Sequence, residues 1–285
     1  MKLRAPAVPL ISVDPYFNIW SMSNQLNAEV TRHWSDKPHR ITGILDFDGS
    51  SYCFMGLSEF TSMKQEKLTI DSLTTQYVFS TDKVELKVQF MTPLLLEDPI
   101  LCSRPITYVS VLVNAKDGKK HTYSLRFIAD DEICLDHKGQ WDTQFSYGET
   151  DCFTWGKVGS LPQQLLNKSG DDIRIDWGYL YLAAQKQDDI NIETTVLPSQ
   201  DETETKSGRL QISIDFPPSS SNEALFAFAY DDIKSIEYFG EPLDAYWKTD
   251  DTPNIMAALH KAFLDYPSIK QRCDKFSDEM YQNAK

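Results

Sequence analysis

Short runs of alternating apolar and polar residues follow one another through most of this chain, and they constrain its fold more than any other feature. Alternation with a period of two is typical of β-strands that bury one face. No segment of helical period separates these runs over residues 1–250, which disfavours a parallel sheet with crossover helices. We therefore predict a mainly β fold: one large antiparallel β-sandwich, supersandwich-like because its strands outnumber those of an immunoglobulin-type domain. The runs include LTTQYVFS, VELKVQFM, IRIDWGYLYLA, RLQISIDF and ALFAFAY.

Two Asp-Gly pairs mark turns between neighbouring runs. Asp48-Gly49 lies between ITGILDF and SSYCFMGL, and Asp-Gly between apolar runs is a strong signal of a two-residue hairpin turn. Asp117-Gly118 separates an alternating run over 107–113 from another that follows it, which predicts a second hairpin. Both hairpins fit an antiparallel sandwich.

The pattern changes near residue 252, where apolar residues adopt a helical spacing. Thr252 is a good helix N-cap, and Pro253 suits the first helical position. Pro267 divides the apolar stripe, so we predict two short helices within residues 251–285. They either fold back on the sandwich or contact a further domain. The two stripes are Ile255, Leu259, Ala262, Phe263 and Tyr266, and Ile269, Cys273, Phe276 and Met280.

The charge and the motifs that the sequence lacks exclude several classes of function. The formal net charge is −14 at pH 7 without a Lys/Arg cluster, so nucleic acid and anionic membranes would be repelled. No run approaches the roughly 18 apolar residues of a membrane span. The start, MKLRAPAVPL, lacks the core of a signal peptide, so the chain is either cytoplasmic or begins after a removed signal. Because GxSxG, HExxH, phosphate-loop, EF-hand and zinc-type cysteine patterns are all missing, we predict neither a metal nor a cofactor.

Three carboxylates lie in SGDDIRIDWGYLYL, residues 169–182, within a run otherwise suited to a strand. In the structural interpretation Asp171 and Asp172 form the turn that enters the strand. Asp176 then lies on a partly solvated face, where it pairs with Arg174 or accepts hydrogen bonds from backbone donors. In the functional interpretation Asp176 is a buried acid or base beside a tryptophan. We favour the structural interpretation because alternation accounts for nearly every residue. It places on one shared face Ile173, Ile175, Trp177, Tyr179 and Tyr181.

Aromatic and polar side chains are concentrated between Asp14 and Arg40, in DPYFNIWS and TRHWSDKPHR. Flat aromatic faces beside hydrogen-bonding groups are typical of sites for a sugar or another small polar ligand. The alternative is a tryptophan-rich corner of the core, and for His33 and Trp34 neither interpretation is favoured. His137, in CLDHKGQWD, is attributed to a polar loop. The candidate substrate or interface residues are Asp14, Tyr16, Trp20, Arg32, His33 and Trp34.

With these stretches in view, the chain resembles the N-terminal portion of the glutaminase A family of fungi and gut Bacteroidetes. The resemblance runs from end to end and rests on the order and number of the matches. In one departure, Asp46-Phe47-Asp48-Gly49 replaces the Arg-Val-Asp-Gly that is common in the family. The matches are LRAPAVPLISVDPYFNIWS, TRHW followed by KPH, FDGSSYCFMG, TPLLLEDPILCSRPITYVSVLV, SGDDIRIDWGYLYLA and AYDDIKSIEYFGEPLDAYW.

The resemblance implies a longer protein, in which a helical domain like the α-toroids of glucoamylase-type glycosidases follows the β-rich region. Residues 251–285 would connect the sandwich to that C-terminal domain, which would be its partner. The resemblance also implies a secreted or periplasmic protein whose signal peptide has been removed. The complete enzyme would hydrolyse L-glutamine, a small polar substrate, to L-glutamate and ammonia. The present chain would be a non-catalytic or site-completing module of it.

Two other functions remain open. The same plan fits a carbohydrate-active enzyme whose two carboxylates lie mainly in the toroid. The chain could instead be a non-catalytic module that binds a glycan or a partner protein through aromatic residues. No nucleophile and base are recognisable between Asp14 and Arg40, so we expect the catalytic residues to lie elsewhere and residues 1–285 alone to be inactive.

Overall fold

The computed structural model of the chain describes residues 5–168, 170, 174–199 and 207–284. Within these ranges the chain is mainly β, as predicted. The strands of the first part are β1 Val8–Ser12, β2 Asn18–Ser21, β3 Ile41–Phe47, β4 Ser50–Met55, β5 Thr61–Ser62, β6 Lys64–Ile70, β7 Thr74–Ser80, β8 Val84–Met91 and β9 Ile106–Ala115. Those that follow are β10 His121–Asp130, β11 Thr143–Glu149, β12 Phe153–Ser160, β13 Tyr179–Gln185, β14 Asn191–Pro198, β15 Gly208–Ser219, β16 Ser221–Asp231, β17 Ile236–Tyr238 and β18 Glu241–Leu243. The helices are α1 Pro99–Ser103 and α2 Ile255–Asn283, and a 3-10 turn spans Asp131–Cys134.

Two large sheets face each other across one apolar core, so the predicted sandwich is confirmed. The larger sheet has the strand order β11-β12-β13-β16-β9-β8-β7-β6, and the smaller has the order β14-β15-β10-β3-β4-β5. Neighbouring strands in both sheets are antiparallel except β4 and β5, which make a short parallel pair. Two separate ribbons, β1 with β2 and β17 with β18, lie outside these sheets.

One of the two predicted hairpins is present. Asp48 and Gly49 have positive φ angles of 46° and 79°, and they connect β3 to its antiparallel partner β4. The second prediction is wrong, because Asp117-Gly118 connects β9 of the larger sheet to β10 of the smaller one. The alternating residues of both strands are buried in the core, but the two strands approach the core from opposite sides. There, Phe127 of β10 packs edge-on against a ring of β16. Alternation shows which side chains are buried and leaves the pairing partner open.

The C-terminal region forms one helix of 29 residues, not the two short helices that Pro267 predicted. The side chain of Asn254 accepts a hydrogen bond from the backbone N–H of Ala257 at 3.0 Å, so Asn254 is the N-cap in place of Thr252. A proline inside a helix removes one hydrogen bond and costs about 3 kcal/mol. Apolar side chains are buried on both sides of Pro267, and their burial outweighs this cost.

Helix α2 lies on the outer face of the larger sheet, so the C-terminal region folds back on the sandwich. Phe263 packs on Phe153 of β12 with 5.4 Å between ring centroids. The Tyr108 hydroxyl of β9 donates to the carbonyl of Ala262 at 3.1 Å. The central strands of this sheet are therefore buried on both faces, which explains why β16 is continuously apolar over residues 224–230.

Candidate functional site

A cleft of about 290 Å³ opens at one end of the sandwich, where β9 and β13 begin and β16 ends. Its walls come from the turn between β1 and β2, from the segment that precedes β13, and from the chain that follows β16. We call it the Trp177 cleft. Its principal lining residues are Asp14, Tyr16, Trp177, Tyr230, Asp232 and Tyr246.

Gly178 turns the chain beside this cleft and reverses the face on which the neighbouring side chains lie. Its φ of +84° lies in the left-handed region, and a Cβ there would collide with the carbonyl oxygen of Asp231. Ile175 and Trp177, before the glycine, are buried in the core between the sheets, as predicted. The first and third residues of β13, both tyrosines, pack toward α2 instead. The prediction of one shared face through this segment is therefore wrong.

Trp177 is held in place by two hydrogen bonds. Its indole N–H donates to the carbonyl of Lys234 at 3.3 Å, and the Tyr230 hydroxyl donates to the carbonyl of Trp177 at 2.7 Å. The ring of Tyr16 lies 6.2 Å from the Trp177 ring, centroid to centroid, with a tilt of 55°. Tyr246 is 69% exposed. The cleft thus combines one fixed, buried aromatic wall with an aromatic ring that faces solvent.

Two carboxylates line the same cleft. Oδ1 of Asp14 accepts the backbone N–H groups of Tyr16 and Phe17 at 2.7 and 2.8 Å. Burial of the carboxyl group raises the pKa of Asp14, and these two hydrogen bonds oppose the rise. Asp232 accepts a hydrogen bond from the Ser235 hydroxyl, while its buried Oδ1 has no hydrogen-bond partner among the described residues. Burial raises the pKa of Asp232 to about 6, and the charge of Asp14 adds to the shift.

Three of the remaining N-terminal candidates, Trp20, His33 and Trp34, belong to a hydrogen-bonded group around Asn18. Oδ1 of Asn18 accepts the Trp20 indole N–H and the backbone N–H of Trp34, both at 3.0 Å. Its Nδ2 donates to the carbonyl oxygens of Asp14 and Pro15 at 3.1 and 2.9 Å. The Trp34 indole N–H also donates to the Pro15 carbonyl, at 2.9 Å. We call these five residues and His33 the Asn18 cluster, and Asp14 belongs both to it and to the cleft.

His33 braces this cluster and is fully buried. Its Nδ1 lies 2.8 Å from the Ser35 hydroxyl, and its Nε2 lies 2.9 Å from a backbone carbonyl of the β1–β2 turn. A serine–histidine contact is also part of many nucleophile–base pairs, but this ring is closed to substrate, which favours the structural interpretation. Trp34 is 50% exposed and is the accessible aromatic side chain of the cluster. The backbone of Arg32 pairs with that of Trp20, but its side chain takes no part in the cluster, because the guanidinium donates to the carbonyl of Asp36 at 2.9 Å.

Asp176 is buried in a charged network, but its partner is not the predicted one. Lys168 Nζ lies 2.9 Å from Oδ2 of Asp176, and the Gln140 side chain donates to the same oxygen at 2.9 Å. Arg174 instead pairs with Asp136, with 3.0 Å between Nη2 and Oδ1. Arg174 and Asp176 are both buried in the segment before β13 begins. The predicted pairing and the predicted solvated strand face are therefore both wrong.

Two features are absent from the part of the chain that the structure describes: a group of metal ligands and a membrane-spanning helix. There, no three His, Cys, Asp or Glu side chains are grouped as metal ligands would be. No helix of these residues combines the length and the apolar character needed to cross a membrane. Asp171, Asp172 and Ile173, for which the sequence predicted a turn and the start of a strand, lie outside the described residues.

Sequence reasoning missed several groups at this end of the molecule. Asp232 and Tyr246 lie in AYDDIKSIEYFGEPLDAYW, and the available signal was a pair of carboxylates directly after an apolar strand. Glu132 was missed as well: it is buried, and both of its carboxylate oxygens lie 2.6 Å from Nη1 of Arg40. Burial raises the pKa of Glu132 to about 7, although the ion pair with Arg40 opposes the rise.

Comparison with protein families and curated proteins finds three similarities. Residues 73–283 match the domain of unknown function DUF5127, and residues 1–65 match another domain of unknown function, DUF4964. Glutaminase A of Aspergillus oryzae is 26% identical over 248 residues, which cover 80% of this chain and 34% of that protein. The chain therefore spans about a third of the length of this curated relative.

Similar solved structures are distant. A protein from the human microbiome described as a kojibiose phosphorylase aligns over 96% of this chain and 35% of its own, with 9% identity and a TM-score of 0.48. Heparan sulfate lyase HepC of Pedobacter heparinus aligns over 65% of this chain and 23% of its own, with 8% identity and a TM-score of 0.36. Likeness at this level carries no argument about function.

Proposed function

The chain belongs to the DUF5127 domain family, and from this premise we propose that it is the N-terminal β-rich module of a glutaminase-like amidohydrolase. The complete protein would hydrolyse L-glutamine to L-glutamate and ammonia. The observation that carries the proposal is the 26% identity with Glutaminase A of A. oryzae over 80% of the chain. Because the chain spans only 34% of that relative, we assign to it a part of the activity.

The part we assign is completion of the substrate site. Amide hydrolysis requires a nucleophile or an activated water, and a group that stabilises the oxyanion, held together in a cleft that controls water. The histidine of the Asn18 cluster is buried with both ring nitrogens bonded, so it supplies no open base. We therefore assign nucleophile and oxyanion donor to a C-terminal helical domain, and we place Trp34 and the Trp177 cleft near the interface with it.

Ammonia release from L-glutamine tests this division of labour. We expect the full-length protein to turn over L-glutamine and purified residues 1–285 to show no turnover. Robust turnover by residues 1–285 would put a complete active site within them and contradict the proposal. No turnover of L-glutamine by the full-length protein would contradict the amidohydrolase itself.

Replacement of Trp34 tests whether the Asn18 cluster lies near the active site. Half of the Trp34 side chain is exposed, so Trp34→Ala removes an aromatic surface and one hydrogen bond without opening the core. In the full-length protein we expect kcat/KM for L-glutamine to fall about tenfold, the effect of a misplaced substrate. His137→Ala is the control, because His137 is exposed and outside the cluster. Equal effects of the two changes on kcat/KM, at unchanged melting temperatures, would contradict the placement of Trp34 near the active site. His33 is a poorer probe, because it is buried and its loss disturbs the fold.

A second candidate function is the recognition or cleavage of carbohydrate. The observation that favours it is the combination of carboxylates and aromatic rings in the Trp177 cleft, which also suits a sugar ring. A panel of glycosides assayed with the full-length protein separates this function from amide hydrolysis. Glycan binding by residues 1–285, without hydrolysis by either protein, would support a non-catalytic module.

Export is a separate part of the proposal. It rests on the resemblance to a family whose members are usually exported, with a signal peptide removed. Fractionation of the producing cells is expected to recover the protein outside the cytoplasmic membrane. Recovery from the cytoplasm would contradict this part alone.

A further inference from the structure

The Trp177 cleft carries negative charge without a basic counterpart. Asp14 and Asp232 line it, and none of its lining residues in the described chain is a lysine, arginine or histidine. Lys248 lies close by in sequence, but its Nζ contacts Oδ1 of Asp231 at 3.1 Å and donates to a backbone carbonyl at 2.9 Å. The charge of Lys248 acts on Asp232 and opposes the rise of its pKa. The negative charge of the cleft is therefore compensated only in part, and the rest is left to solvent or to a ligand.

The carboxylate of Asp232 offers such a ligand its negative charge. The Ser235 hydroxyl donates to Oδ2, and Oδ1 is buried without a donor among the described residues. Buried carboxylate oxygens are normally satisfied by hydrogen bonds. A positive charge in the cleft would stabilise this poorly bonded carboxylate and offset the repulsion between Asp232 and Asp14.

The aromatic walls favour the same kind of ligand. Tyr16 packs on Trp177 with 6.2 Å between ring centroids, and the exposed ring of Tyr246 lines the same cleft. Ring faces attract cations, and the attraction grows when the cation leaves bulk water. The formal net charge of −14 further raises the local concentration of small cations around the protein.

We propose that the Trp177 cleft binds a small organic cation with an ammonium group, which the charges of Asp232 and Asp14 hold beside the aromatic rings of the cleft. The volume, about 290 Å³, lies at the lower limit of small-molecule sites and restricts the ligand to a compact molecule. A neutral sugar could stack on the rings, but it would leave both carboxylates without a positive charge. The ammonium site rests on this geometry alone. That L-glutamine is one of its ligands, through the α-ammonium group, rests in addition on the proposed function.

Calorimetric titration of residues 1–285 tests the ligand class, with the NMR shift of the Trp177 indole N–H as a local readout. The probes are n-butylammonium, L-glutamine, its deaminated analogue glutaramic acid, and glucose. We expect both ammonium compounds to bind and to shift the Trp177 signal, and the other two to bind at least about tenfold more weakly. Binding of glucose or glutaramic acid as tight as that of L-glutamine would overturn the proposal, and so would no shift with either ammonium compound. Binding of n-butylammonium but not of L-glutamine would support the ammonium site and overturn L-glutamine as its ligand.

Three variants test the residues. Asp232→Asn keeps size and shape, and we expect it to weaken n-butylammonium binding about tenfold or more because one of the two negative charges of the cleft is lost. Asp14→Asn keeps a side-chain oxygen that accepts the backbone N–H groups of the turn, and Tyr246→Ala removes an exposed ring. Either variant can replace Asp232→Asn if that variant does not fold. We expect each of them to weaken binding several-fold. The control is Asp250→Asn, which makes the same charge change at an exposed residue outside the cleft. Unchanged affinity for n-butylammonium in every cleft variant that folds would overturn the proposal.

Discussion

His39 is a buried histidine whose two ring nitrogens have no hydrogen-bond partner among the described residues. Burial lowers the pKa of His39 to about 3, and the charges of His33 and Arg174 add to the shift. In an unfolded chain a histidine titrates near pH 6.5. Between these two pH values the unfolded chain binds a proton that the folded chain does not. The stabilising contribution of neutral His39 is therefore complete above about pH 6.5 and is lost progressively as the pH falls.

The variant His39→Phe removes this titration and keeps a ring of similar size. From pH 6 to pH 4 we expect the wild type to lose about 1 kcal/mol more of unfolding free energy per pH unit than the variant. At pH 7 the two should agree within about 1 kcal/mol, because no hydrogen bond is lost. Urea unfolding across this pH range measures both quantities. Buried acids such as Glu132 oppose the trend, but they do so equally in both proteins.

The matched control is His137→Phe, since His137 is exposed. It should keep the pH slope of the wild type. If His39→Phe also keeps that slope, His39 is not the group that makes the fold sensitive to acid. A loss well above 1 kcal/mol at pH 7 would mean that its ring nitrogens are hydrogen-bonded in solution.

Strand β13 depends on one glycine at its start. A side chain at Gly178 would meet the carbonyl of Asp231 and require a left-handed backbone, so Gly178→Ala has two separate costs. Gly118→Ala is the matched control, because its φ of +69° is also left-handed but no atom lies within 4 Å of the added Cβ. We expect Gly118→Ala to cost about 1–2 kcal/mol of unfolding free energy, and Gly178→Ala at least about 2 kcal/mol more. Similar losses of unfolding free energy for the two variants, measured in urea, would show that the backbone beside the cleft shifts at little cost to accommodate the added Cβ.

The sequence predicts individual strands better than their surroundings. Alternation in β9 and β10 identified the buried residues correctly, but a period of two contains no information about the partner strand. Pro267 predicted a break, yet the apolar contacts on both sides of it are made with a sheet that is distant in sequence. The cleft was found only in part for the same reason. Asp14, Tyr16 and Trp177 were singled out, whereas Asp232 and Tyr246 join them through the pairing of β13 with β16 and the chain that follows.

Packing of α2 on the larger sheet is the main contact between helix and sandwich in the described molecule. Phe263 is buried against Phe153, so we expect Phe263→Ala to cost about 3–4 kcal/mol of unfolding free energy. Leu264, the next residue, is 62% exposed, and Leu264→Ala should cost less than about 0.5 kcal/mol. Urea unfolding followed by circular dichroism compares the two. Equal small losses would mean that α2 does not pack on the sheet in solution.

The position of β16 has a consequence for the way the chain is made. The larger sheet consists of two local meanders, β6 to β9 and β11 to β13, and β16 joins them by pairing with both β9 and β13. During synthesis both meanders are complete before β16 leaves the ribosome. Until then, the nascent chain exposes two unpaired sheet edges and the apolar faces next to them. Such edges recruit other strands. Folding of this protein should therefore be slow and limited by the arrival of one late strand, and its yield should depend on chaperones that shield the two edges until then.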